Sequence, residues 1–134
     1  MINNIPKFFE LAKRKVHANN KLAKESPNYI DNGDWNSHKI YIKEMAWELK
    51  EASNEIKEKN SVYLEDELWD VFWTYINLLD RLENEWYINS KNVFNRSYKK
   101  FEDRVSGMET GSTWQEIKAI QKERLKQEHD NTYN

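Results

Sequence analysis

The sequence has no cysteine, only 3 glycines and 2 prolines among 134 residues, and no long uncharged apolar run. Without cysteine there is no disulfide framework, no thiolate zinc site and no cysteine nucleophile. Glycine and proline stand at roughly a third of their usual share. That leaves too few turn formers for a sandwich or barrel and makes long helices the default. The N-terminus reads MINNIPKFFELAKRK, without the continuous apolar core of a signal peptide, and no segment suits a bilayer span. The expectation is a soluble, cytoplasmic protein with no membrane partner. A formal net charge of -2 supplies no global basic field, so duplex nucleic acid is not an expected partner. A polyanionic ligand would have to be held by local cations or through metal.

What is present argues for a folded chain. A mean hydropathy of -1.04 and 33% charged residues lean toward disorder, but six Trp and seven Tyr supply enough aromatic surface to bury. The length suits one all-α domain over residues 1–134, with a core over about 5–126 and a frayed polar tail over 127–134. The pattern predicts an antiparallel bundle of about five helices. The first runs from Pro6 to Lys24. The loop formers from Ser26 to Ser37 come next, then a second helix from Ser37 to Lys59 and a third from Val62 to Tyr87, capped by Ser61. With only Asn60-Ser61 between them, these two should be antiparallel neighbours. A fourth helix covers Ser90 to Val105 and breaks at the turn from Gly107 to Gly111. A fifth starts at Thr113, where Thr113 and Glu116 form a capping-box pattern.

Two acidic strips carry the chemistry. At about 100° per residue, Glu44, Glu48, Glu51 and Glu55 fall within an arc of roughly 60° on the second helix. This arc borders the apolar stripe Ile42, Met45, Leu49, Ala52 and Ile56. Only Glu55 has a lysine at favourable helical reach, Lys59. The third helix is apolar over about 220° of its circumference, including Trp69 and Trp73. The exception is a narrow sector holding Asp66, Glu67, Asp70, Thr74, Asn77 and Arg81, in which neither Glu67 nor Asp70 has a basic residue three or four positions away. Carboxylates desolvated beside Trp and Leu either neutralise or bind a cation. Antiparallel packing would gather Glu48, Glu51, Glu67 and Asp70 into an oxygen-only ligand set suited to Mg²⁺, with Mn²⁺ as a substitute. The alternative is structural, with the acids paired to lysines of other helices.

The segment Glu48-Leu-Lys-Glu51, followed after fifteen residues by Glu67-Leu-Trp-Asp70, resembles the paired motifs of MazG-type nucleotide pyrophosphohydrolases. Lys100-Phe101-Glu102-Asp103-Arg104, then Met108-Glu109 and a helix from Thr113, is similar to the Lys-x-x-x-Arg segment of that family and the glutamate, turn and helix after it. The likeness runs from Lys39 to Lys126. It implies an all-α, Mg²⁺-dependent and oligomeric enzyme, a homodimer or homotetramer, that splits nucleoside triphosphates into a monophosphate and pyrophosphate. By motif, Glu48, Glu51, Glu67 and Asp70 would be metal ligands, and Lys100 and Arg104 would meet phosphate. Trp47 stands where the family often has a further Glu, and Gln121 where a Trp is expected.

Chemically, divalent ions would have to intervene between four carboxylates and a triphosphate. Glu48 or Glu51 would accept a proton from attacking water, and Lys100 with Arg104 would neutralise the leaving pyrophosphate. Trp35 and His38 are candidates to stack on a nucleobase, and Asn77 to hydrogen-bond a ligand. The competing class is a noncatalytic helical interaction module, whose acidic strips would dock a basic partner.

Overall fold

The structure, a computed structural model, describes residues 4–25 and 37–134. They form five helices: α1 (Ile5–Glu25), α2 (His38–Asn54), α3 (Ser61–Asn84), α4 (Ser90–Glu109) and α5 (Trp114–Tyr133). Among the described residues there is no strand, and the fold is all-α. The chain divides into two compact units, Met1–Asn89 and Ser90–Asn134.

In the first unit α2 and α3 pack along each other. His38, at the start of α2, bonds Glu85, just past the end of α3. Lys15 bridges Tyr41 and Asn77, and Glu48 meets Asp70. As residue numbers rise along α2 their partners fall along α3, so the pair is antiparallel. On the other side Phe8 stacks on Trp69 and meets Phe72 edge-on, each at 5.5 Å, while Lys15 reaches Trp73 and Asn77. Partners rise together here, so α1 runs parallel to α3. Ala12 and Ala52 are buried, as are Tyr41, Ile76 and Leu79, and such small residues let helix axes approach closely.

The joint between α2 and α3 is longer than the two residues expected. α2 stops at Asn54, because the Asn60 amide donates to the Glu55 carbonyl at 2.9 Å and takes the acceptor that a further helical turn would use. Asn60 also donates to Glu55 Oε2 at 2.6 Å, and Lys59 turns the chain with φ 54°. Asn60, not Ser61, is the N-cap of α3. At the other end α3 stops at Asn84. Trp86 takes the left-handed φ of 66°, and the Tyr87 amide closes onto the Leu82 carbonyl at 2.9 Å. That is a Schellman closure in which glycine is the usual residue.

The second unit is an antiparallel hairpin of α4 and α5, tied by Arg96 to Glu128 and by Arg104 to Gln121. Gly107 does not break α4. A Cβ there would lie 2.3 Å from Ile117 Cδ1, so the glycine lets the two helices touch. The break falls at Gly111, whose φ of +100° excludes most side chains. The capping box forms as the sequence suggests, with Thr113 N–H donating to Glu116 Oε2 at 2.8 Å and Glu116 N–H to Thr113 Oγ1 at 3.2 Å. Residues 127–134 are not a frayed tail, since α5 continues to Tyr133 with the His129 ring against the Tyr133 ring at 4.8 Å.

Candidate metal centre

Glu48 and Glu51 lie one turn apart on α2, and Glu67 and Asp70 one turn apart on α3. The acidic edges turn toward one another, as antiparallel packing implies, while only part of each apolar stripe is covered, Ala52 on α2 and Ile76 and Leu79 on α3. Ile42, Leu49 and Ile56 are exposed on α2, as are Leu68 and Trp69 on α3, whereas Thr74, Asn77 and Asp80 are buried. Of these, Asn77 accepts from Lys15 of α1 at 3.5 Å, whereas Asp80 is paired at 2.8 Å by its own neighbour Arg81.

The outcome is a compact carboxylate group. One oxygen each from Glu48, Glu67 and Asp70 lies within 4.8 Å of the other two. Glu48 Oε2 is buried with no hydrogen-bond partner. Among the described residues, no salt bridge involves any of these three or Glu51, so local cations do not neutralise the group. Glu55, expected on the same strip, lies beyond the helix end and pairs with Lys57 at 3.8 Å instead of Lys59.

These surroundings set the electrostatics. Burial pushes the Glu48 carboxyl up to about 7, helped by the charges of Asp70, Glu51 and Glu44 and by its hydrogen bond with Glu51. Desolvation also raises Glu67, with Glu51 and Asp70 adding repulsion. Asp70 rises through desolvation and then through Asp66 and Glu51. Hard oxygen donors, unpaired negative charge and one orphaned oxygen fit a small divalent cation.

α1 completes this end of the unit with a residue to which the sequence pattern assigns no role. Lys15 Nζ donates to Tyr41 Oη at 3.3 Å and to Asn77 Oδ1 at 3.5 Å, and lies 5.0 Å from the Tyr41 ring centre and 5.7 Å from that of Trp73. With Glu44, Glu48 and Thr74 these residues line a cavity of about 190 Å³.

A family model for the MazG nucleotide pyrophosphohydrolase domain matches residues 36–107. The chain belongs to the MazG family. No curated protein and no solved structure matches it. The MazG match takes in α2, α3 and nearly all of α4, and so the four carboxylates, Asn77, Lys100 and Arg104. It leaves α1 and α5 outside.

Of the other residues expected at the site of this MazG protein, Trp35 lies outside the described residues. His38 stands ten residues from Glu48, about 15 Å along α2. Its backbone N–H donates to Glu85 Oε1 at 3.0 Å, its ring Nδ1 pairs with Glu85 Oε2, and the Tyr87 ring meets it edge-on. That contact holds Glu85 below the usual carboxylate range. Asn77 is not solvated on a polar face but 2% exposed, with Nδ2 donating to the Trp73 carbonyl at 2.8 Å.

Lys100 and Arg104 sit on α4 in the second unit. Lys100 is exposed, as a surface cation should be, but Arg104 is buried at 8% exposure. Its guanidinium lies 4.8 Å from the centre of the Trp114 ring and 5.6 Å from that of Phe101, and Nε donates to Gln121 Oε1 at 2.8 Å. Gln121 also donates to the Lys100 carbonyl at 3.0 Å. Arg104 thus binds α4 to α5. Arg104→Ala is expected to cost roughly 2 kcal/mol in urea unfolding, from a lost cation–π stack and a stranded amide. Lys100→Ala should change stability by less than about 0.5 kcal/mol.

What the sequence pattern missed here is Lys15 with Tyr41 and Thr74. Their only signal was the position of Tyr41 and Thr74 on the polar edges of their helices. Lys15, on an ordinary amphipathic helix, carried none.

Proposed function

We propose that this MazG protein is a Mg²⁺-dependent hydrolase that splits a nucleoside triphosphate into the monophosphate and pyrophosphate. The observation that carries this reading is the unneutralised group of Glu48, Glu67 and Asp70, with its orphaned buried oxygen. These three residues would hold the ion, with Glu51 beside them. Held there, Mg²⁺ or Mn²⁺ would supply Lewis-acid chemistry and offset the charge between the carboxylates and a polyphosphate.

The protein's own groups would do the rest. Glu48 or Glu51, one turn apart on α2, would accept the proton of the attacking water. Lys100 and Arg104 would neutralise charge on the leaving pyrophosphate. With Gln121 holding Nε of Arg104, its terminal nitrogens are the atoms that would meet phosphate. The test is pyrophosphate release from a panel of nucleoside triphosphates, with Mg²⁺ and with chelator. Release should need the metal. No release from any triphosphate would leave the acidic strips as a docking surface for a basic partner.

The same reading includes assembly as a homodimer or homotetramer. Turning the acids inward leaves Ile42, Trp47, Leu49 and Leu68 between 52% and 56% exposed, an apolar surface larger than single scattered residues explain. Sedimentation at micromolar concentration should show a dimer or larger. A fully active monomer would overturn this part of the proposal.

A further inference from the structure

The cavity beside the carboxylates, about 190 Å³, is smaller than the roughly 300–1,000 Å³ that drug-sized ligands occupy. It suits one small ring. Glu48 belongs both to its wall and to the carboxylate group, so a ligand in the cavity adjoins the proposed phosphate site. Tyr41 and Asn77 each stand seven residues, about 10 Å, from Glu48 and Asp70 along their helices. Lys15, bonded to both, therefore marks the end remote from the carboxylates.

That remote end has a polar pattern. Asn77 Nδ2 is committed to the Trp73 carbonyl at 2.8 Å, which sets the amide oxygen toward Lys15. An ammonium donor and an amide acceptor stand side by side, flanked by the Tyr41 and Trp73 rings. A nucleotide with its phosphates at the carboxylates would present the far edge of its base here. In uracil or thymine that edge offers a C4 carbonyl acceptor next to an N3–H donor, the complement of Lys15 and Asn77. Cytosine reverses both, setting an amino group against the ammonium and a lone pair against the amide oxygen. A purine adds a second ring to a cavity of single-ring size.

We infer that this cavity receives the base of a uracil or thymine nucleotide, with Lys15 donating to the C4 carbonyl and Asn77 Oδ1 accepting from N3–H. Lys15 is then a specificity-determining residue on a helix that the family match does not reach. The inference rests on the nucleotide reading above and deepens it to a substrate class.

The test uses deoxyuridine and deoxycytidine, which lack phosphates, titrated into the full chain without metal and followed by NMR. Deoxyuridine should bind at least about tenfold more tightly, because the wrong base leaves buried polar groups unpaired. Lys15→Met should remove that preference. Equal binding, preference for deoxycytidine, no binding of either at millimolar concentration, or an unchanged preference in a folded Lys15→Met protein would each overturn the inference. The parent protein alone decides if the variant does not fold. Turnover separates the two readings. Pyrophosphate release without discrimination between dUTP and dCTP sinks this inference alone, whereas nucleoside discrimination without any release sinks the hydrolase and leaves the base site standing.

Discussion

Without metal, Asp70→Asn and Glu67→Gln are expected to melt at or above the temperature of the parent protein, while with Mg²⁺ they lose turnover by about two to three orders of magnitude. The stability half comes from the like charges. Glu48, Glu51, Glu67 and Asp70 face one another across two helices with no cation paired to any of them among the described residues. Such pairs cost tenths of a kcal/mol on exposed helices, and more where the dielectric is lower. Neutralising one member removes repulsion. The activity half arises because the same substitution removes a ligand oxygen. The parent should gain about 2.7 kcal/mol when Mg²⁺ reaches 100 times its Kd, and both variants should lose most of that gain. A structural ion-pair network predicts the opposite, since deleting one partner strands the other. Thermal melts of parent and variants, with Mg²⁺ and with chelator, distinguish the two. Variants that melt well below a parent indifferent to Mg²⁺ would rule out the metal centre.

Acidity should act on the same group with opposite signs in the two states of ligation. The fold holds Glu48 at about 7, above its ordinary 4.5, through burial first and then its acidic neighbours. A carboxyl raised in this way favours the folded state when protonated. Its contribution is fully present below 4.5 and is lost as pH rises through about 7. The melting temperature of the metal-free protein should therefore fall between about pH 5 and pH 8 by an increment that Glu48→Gln abolishes. Metal needs the carboxylate deprotonated, so binding of Mg²⁺ should release a proton. It should be about tenfold weaker at pH 6 than at pH 8, where Glu48 is already ionised. Calorimetric titrations in buffers of differing ionisation enthalpy would read that proton. Mg²⁺ affinity independent of pH over this window would show that Glu48 is not a ligand.

The helical class, the order of five helices and the carboxylates that gather between α2 and α3 were legible in the chain itself. Each is a local property: scarce glycine and proline, helical spacing of apolar residues, and acids repeated at one-turn intervals without basic neighbours. The capping box at Thr113 belongs with them, since its partners lie three residues apart. Helix ends were less legible where a side chain intervened from outside the helix, as Asn60 does at Glu55 and Ile117 does opposite Gly107.

Tertiary packing alone decided the rest. Hydrophobic patterning ranks the whole apolar stripes of α2 and α3 as core, yet Ala52, Ile76 and Leu79 are buried together with the polar Thr74, Asn77 and Asp80, while Leu49 and Leu68 are left outside. A helical projection carries no information about which face a neighbour covers, and here α1 brings Lys15 onto Tyr41 and Asn77. Lys15 meets Asn77 across 62 positions of sequence, a pairing that no local periodicity encodes. Arg104 shows the same effect on α4, read locally as a surface charge and buried against Trp114 only because α5 folds back over it. The sequence by itself determined which residues carry charge and at what spacing along each helix. The tertiary structure decided which of those charges would meet, because burial and desolvation depend on what the neighbouring helices present.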